Sequence, residues 1–172
     1  MTEHSLLILS DSHGHTRNLR EALARQLRAP DIILFLGDGL RDLGCLGLNE
    51  KKISLLAVKG NCDSFSYPEP DDPDERLLKL GNTRILMMHG HTHGVKGGME
   101  RACAFAAQMG ADVLLYGHTH RAHQQWLEAG EQFGAQVLQK PLLVCNPGSL
   151  FEGSFGTLHV GNDGILFGFG KL

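Results

Sequence analysis

An α/β fold is what this sequence predicts, and three observations predict it. Apolar runs of strand length recur along the chain. An amphipathic helical stretch separates the first two, the pattern of a parallel pair joined by a right-handed crossover. Five of the runs lead straight into a short cluster of Asp, Asn or His, which places those groups along one edge of a sheet.

The first run, Leu6-Leu7-Ile8-Leu9, leads into Asp11-Ser12-His13. From Asn18 to Arg28, Leu19, Ala22, Leu23 and Leu27 recur at helical spacing, with Thr16 placed as the N-cap. Ile32-Ile33-Leu34-Phe35-Leu36 is a strand that ends at Gly37-Asp38. Residues 41–50 are broken by glycine and read as loop or short helix. Ile53-Ser54-Leu55-Leu56-Ala57-Val58 leads into Gly60-Asn61-Cys62-Asp63. The proline-rich acidic stretch 67–75 reads as a solvated connection. Gly81-Asn82 is a hairpin turn between Leu77–Leu80 and Thr83–Met88, and the second strand ends at His89. A second helix is expected from Met99 to Met109, closed by Gly110. Val113-Leu114-Leu115-Tyr116 delivers Gly117-His118-Thr119-His120, and short strands follow, with a hairpin at Gly161-Asn162-Asp163-Gly164. With no linker or low-complexity segment, residues 1–172 read as one domain.

Composition narrows the partners. Net charge is -3, so no basic field draws the chain to nucleic acid, and a small substrate is expected instead. No apolar run approaches the roughly 20 residues of a bilayer span, and the start lacks a basic leader, so no membrane contact and a cytoplasmic location are expected. A homo-oligomer stays open. The four cysteines are scattered without a CxxC pair, which argues against a disulfide framework. Cys103 and Cys145 read as small core residues, whereas Cys62 lies inside a ligand cluster.

Gly-His-Thr-His occurs twice, at 90–93 and 117–120. Only the second directly follows its strand. In the first region His89 holds the strand-end position, so His89 is the expected ligand and His91 and His93 flank it. The candidate ligands are then Asp11, His13, Asp38, Asn61, His89, His118 and His120. Seven groups exceed one tetrahedral site and suit two metals sharing a carboxylate, with Asp38 as the bridge through its two oxygens. In Asp11-Ser12-His13 and His118-Thr119-His120, the two-residue step puts both members of each pair on one side of an extended backbone. Oxygen and nitrogen donors without thiolate favour two divalent ions of the Mn, Fe, Ni, Co or Zn kind, Mn first.

The order D-x-H, GD, GN, H, GHxH resembles the calcineurin-like metallophosphoesterase superfamily. Gly60-Asn61-Cys62-Asp63, the short length and Asn146-Pro147-Gly148-Ser149 resemble its small prokaryotic phosphodiesterase branch, to which Vps29 scaffold proteins are related. The resemblance implies a four-layer αββα sandwich of two mixed sheets flanked by helices. It implies that Asp11, His13, Asp38 and His120 hold one metal, that Asp38, Asn61, His89 and His118 hold the other, and that Asn61 also reaches the substrate phosphoryl oxygen. The implied activity is phosphodiester hydrolysis by a hydroxide bridging the two metals; the alternative is a Vps29-like scaffold with little activity. Cys62 departs from the His that many members carry there as proton donor. A thiol is a poorer donor at neutral pH, so diesters or good leaving groups are the expected substrates. Cys62 either packs under the metal loop or contacts substrate. His15, His91, His93 and His123 are candidates for the missing acid, His91 foremost. Asn146–Ser149 forms a tight turn, and whether it also lines the cleft stays open.

Overall fold

The computed structural model describes residues 3–48, 52–63 and 71–172; residues 49–50 of the expected loop and 67–70 of the acidic stretch lie outside the described residues. The strands are β1 (His4–Leu9), β2 (Ile32–Phe35), β3 (Ser54–Ala57), β4 (Glu75–Leu80), β5 (Thr83–Met88), β6 (Val113–Tyr116), β7 (His123–Leu127), β8 (Gln132–Phe133), β9 (Gln136–Val137), β10 (Leu142–Asn146), β11 (Ser154–Gly161) and β12 (Gly164–Lys171). Helix α1 spans Thr16–Ala24 and α2 spans Glu100–Gln108, while the glycine-broken segment carries a 3-10 helix over Leu40–Leu46.

Two mixed sheets form, in strand orders β12-β11-β1-β2-β3 and β4-β5-β6-β10-β7, with β8-β9 as a separate ribbon. β1, β2 and β3 run parallel, as do β5, β6 and β10, so each sheet sends several strand C-termini toward one edge. Leu6, Ile8 and Leu34 of the first sheet meet Ile85, Met87, Val113 and Leu115 of the second in a dry layer between the sheets. The opposite face of the first sheet buries Leu7, Leu9, Ile33 and Phe35 against Leu19 and Ala22 of α1. The far face of the second buries Leu86, Met88, Leu114 and Val144 against Ala102, Cys103 and Ala106 of α2. Successive residues of β1 and β5 therefore serve two apolar layers, which is why these strands are near-continuous apolar runs. Each fully buried Leu or Ile contributes roughly 1.5–3 kcal/mol. The four layers of the αββα sandwich are present.

Both expected hairpins form, with Leu80 opposite Thr83 and Gly161 opposite Gly164. Helix α1 departs from expectation at both ends. Thr16 is its first residue rather than its cap, and it stops before Arg28. The Gln26 side-chain amide donates to the Ala22 carbonyl, taking the acceptor that another helical turn would use. Leu27 consequently lies fully exposed. Glu75 opens β4 instead of ending a loop. Among the described residues no helix is long and apolar enough to cross a membrane.

Candidate metal centre

The loops that follow β1, β2, β3, β5 and β6 converge at one edge and bring all seven candidate ligands together. Asp11, His13 and His120 form one group and Asp38, His89 and His118 another, with the ligand atoms of each within 4.8 Å of one another. Asp11 Oδ1 lies 3.2 Å from His120 Nε2 and 3.8 Å from His13 Nε2. Asp38 Oδ2 lies 3.4 Å from His89 Nε2 and 3.9 Å from His13 Nε2, facing both groups. Its Oδ1 accepts the Cys62 N–H at 2.7 Å, which fixes the carboxylate with Oδ2 turned to the histidines. Asn61 Oδ1 sits 3.1 Å from His89 Nε2, at the rim of the second group. The two histidines of Gly117-His118-Thr119-His120 divide between the groups.

The expected extended geometry of the two-residue pairs is wrong. Asp11, His13, Asp38, His118 and His120 have φ of 55°, 43°, 60°, 64° and 60°. Among the described residues no other non-glycine residue has positive φ. All five are candidate ligands, each in a left-handed conformation that costs about 1–3 kcal/mol. Tight left-handed turns, not strand alternation, aim these side chains inward. Strain confined to one constellation points to that constellation as the working site.

Polar residues, most of them buried, hold the turns in place. Asp63, 2% exposed, accepts four backbone N–H groups, from Asp38, Gly39, Leu40 and Gly60, at 2.8–3.0 Å. It therefore ties the Asp38 loop to the Asn61 loop. Ser10 Oγ donates to Asp11 Oδ2 at 2.6 Å and the His118 N–H donates to the same oxygen at 3.2 Å. Asp42 accepts from Ser12 Oγ and the Gly14 N–H, bracing the turn around His13. Asn146 donates to the Gly117 carbonyl and to Thr119 Oγ1, and Ser149 Oγ to the Asp11 carbonyl. The Asn146–Ser149 segment thus supports the ligand loops from behind. Gly60 packs so closely on Asp38 that an added Cβ would overlap its carboxylate and its backbone nitrogen.

Sequence reasoning passed over Asp63, Ser10 and Asp42 as ligand neighbours. Their signal is simple: glycine-rich turns expose backbone N–H groups that a nearby short polar side chain must accept.

The donor set fits a pair of cations. Asp11 Oδ1 is buried without a hydrogen-bond partner, an uncompensated acceptor at the centre of three imidazoles. His89 Nδ1 lies 2.7 Å from the Leu36 carbonyl, which can only accept, so Nδ1 carries the proton and Nε2 faces the site. Burial raises the Asp11 carboxyl. Burial also works against the Asp38 carboxylate, yet bonding and attraction from His89 hold it well below the usual range. Burial opposes charge on His89, but Asp38 and Asp11 outweigh it and raise its pKa. Burial and the nearby His89 lower His118 to about 4, leaving it a neutral lone-pair donor.

A family model for the calcineurin-like phosphoesterase superfamily domain matches residues 5–161. The chain belongs to that family. It is 34% identical over 146 residues to the probable metallophosphoesterase YsnB of Bacillus subtilis, covering 85% of this chain and 75% of the relative. It is 32% identical over 117 residues to the Escherichia coli phosphodiesterase YfcE, across 64% of this chain and 55% of the relative. Among solved structures, a predicted phosphoesterase of Streptococcus pneumoniae superposes with a TM-score of 0.75 at 23% identity, over 99% of this chain and 91% of the other. A Vps29 of Entamoeba histolytica in complex with Zn2+ gives 0.63 at 20% identity, over 97% and 98%. Those two likenesses describe the fold.

Within this metallophosphoesterase the remaining histidines separate by position. His91 packs 5.4 Å from His89 and 6.2 Å from His118 between ring centroids, and its Nδ1 is buried without a partner. Burial, then His89, lowers its pKa. His93 pairs with Glu75 at 2.9 Å and stacks on Phe105, a packing role. His123 faces the Tyr116 hydroxyl at 3.2 Å. His15 rests on Phe151. Cys62 is exposed at the mouth, where desolvation of the thiol and the adjacent Asp38 push it up to about 11. Its Sγ also groups with His13 and Asp38, the ligand atoms of the three lying within 4.8 Å of one another.

Proposed function

We propose that this metallophosphoesterase is a phosphodiesterase that hydrolyses a small phosphodiester at a centre of two divalent ions, manganese foremost, with iron, nickel, cobalt or zinc as alternatives. Two ligand groups that share the Asp38 Oδ2 face carry this reading. Asp11, His13, Asp38 and His120 would hold one ion, and Asp38, Asn61, His89 and His118 the other. Such a pair supplies activation of a water nucleophile and neutralises charge on the phosphoryl oxygens.

The chain's own groups do the rest. Asn61 turns Oδ1 toward His89, which leaves its Nδ2, now 3.3 Å from Cys62 Sγ, to donate to a phosphoryl oxygen. His91, with its lowered pKa, offers a neutral N–H to the leaving oxygen. Cys62, exposed at the mouth, would contact substrate there. With no strong acid at that position, alkyl monoesters are poor substrates, and diesters or good leaving groups are favoured. The name of the YfcE relative supports a diester substrate. A cytoplasmic location and a small-molecule partner belong to the same reading.

The test loads purified protein with manganese and assays cyclic nucleotides, dinucleotides, phospholipid-type diesters, bis-p-nitrophenyl phosphate, p-nitrophenyl phosphate and sugar phosphates. Diesters are expected to lead, and a chelator to abolish turnover. Better turnover of the monoesters would overturn the diester reading. Stoichiometric metal with no phosphoester turnover would favour a protein-binding scaffold of the Vps29 kind.

A further inference from the structure

Phe151 stands out beside the metal centre. It is 47% exposed, a large aromatic facing water. Its ring lies edge-on to His13 with centroids 6.4 Å apart and 4.2 Å from the ring of exposed His15. The backbone beneath it is fixed at several points. The Phe151 N–H donates to the Asp11 carbonyl at 3.0 Å and the Leu150 N–H to the Ser10 carbonyl at 2.9 Å. Asn18 Nδ2 donates to the Leu150 carbonyl at 2.8 Å, and the Gly153 N–H to that same carbonyl at 2.9 Å. Leu150 is fully buried, so the turn sends one apolar side chain into the core and the next outward. These backbone hydrogen bonds hold the Phe151 ring out at the rim of the site, beside His13.

We propose that Phe151, with His15 beside it, is a stacking platform for a planar aromatic group on one arm of the phosphodiester, a nucleobase or an aryl ring. This rests on the phosphodiesterase reading above and sharpens it to a substrate class. A π-face accepts any flat ring without a hydrogen-bond code, and stacking holds that arm while the phosphoryl group meets the ligand groups. Aliphatic diesters, such as glycerol-based ones, have no such partner at this rim.

Binding and turnover test it separately. Calorimetry on the metal-loaded protein compares AMP with ribose 5-phosphate, which carry the same phosphoryl group with and without a base. Wild type is expected to bind AMP about tenfold more tightly. Phe151→Leu should abolish that preference together with the upfield shift of the adenine protons in NMR of the zinc-loaded protein, and Phe151→Trp should restore both. Equal binding of the two ligands by wild type, or a preference untouched by Phe151→Leu, overturns the platform. In turnover, the KM of thymidine 5′-p-nitrophenyl phosphate relative to glycerophosphocholine, a diester without a planar ring, should rise about tenfold in Phe151→Leu. An unchanged KM ratio counts against the platform. Failure of wild type to hydrolyse either diester overturns the phosphodiesterase reading, while the AMP preference still decides the platform.

Discussion

Asp63 does its work through geometry, not by touching an ion. Its two oxygens take four backbone N–H groups from the loops that carry Asp38 and Asn61. Asp63→Asn turns an amide NH2 toward two of those donors, losing hydrogen bonds and adding repulsion. We expect a loss of about 3 kcal/mol in urea unfolding and at least tenfold weaker metal binding by calorimetry. A stability loss with metal affinity intact would show that the loops keep their arrangement without it. Asp63 was visible in the sequence only as the last letter of Gly-Asn-Cys-Asp. Its role depends on four amides that are 3 to 25 residues away, which no local pattern reveals.

The supports behind the ligand turns act as elements. The end of β10 and the turn after it reach the Asp11 loop and the His118–His120 loop together, through Ser149 and Asn146. Asn146→Ala leaves the buried Gly117 carbonyl without that donor, which costs about 1–3 kcal/mol. Because it loosens His118 and His120 at once, bound metal should be released at lower chelator concentration than from wild type, by metal analysis. An unchanged release profile would contradict this. Elements specified by local chemistry were legible: Gly81-Asn82 and Gly161–Gly164 close hairpins in the expected register. The end of α1 was not, because a Gln26 side chain competes for a helix carbonyl. The convergence of Asp11, His13, His118 and His120 was legible but not the backbone behind it, since strand alternation and left-handed turns can both face residues i and i+2 toward one point.

Across the whole molecule, two thiols sit in different apolar layers, Cys145 between the sheets and Cys103 under α2. Burial pushes Cys103 up to about 11, with Glu100 adding to it, and Cys145 up to about 12, from an ordinary 9.0. The folded state keeps a proton that the unfolded chain gives up, so this contribution is complete below pH 9 and declines as pH rises. Stability should fall by about 1 kcal/mol per thiol per unit between pH 9 and 11, measured by chemical denaturation. Cys145→Ala should flatten that slope, and a slope unaffected by the substitution would assign it elsewhere. Long-range strand order lay outside what sequence patterns carry. Nothing local tells β11 and β12 to return beside β1, yet that pairing completes the first sheet.

The five left-handed candidate ligands also make the proposed centre easy to lose. A chain that no longer used its ions would gain by exchanging His13, His118 or His120 for glycine, which adopts that conformation without the side-chain penalty. His120→Gly should therefore raise the melting temperature of chelated protein, corresponding to about 1 kcal/mol, while weakening its stabilisation by added divalent metal. Abandoning the metal runs downhill in folding free energy and recovering it runs uphill, a one-way slope from enzyme toward inert scaffold.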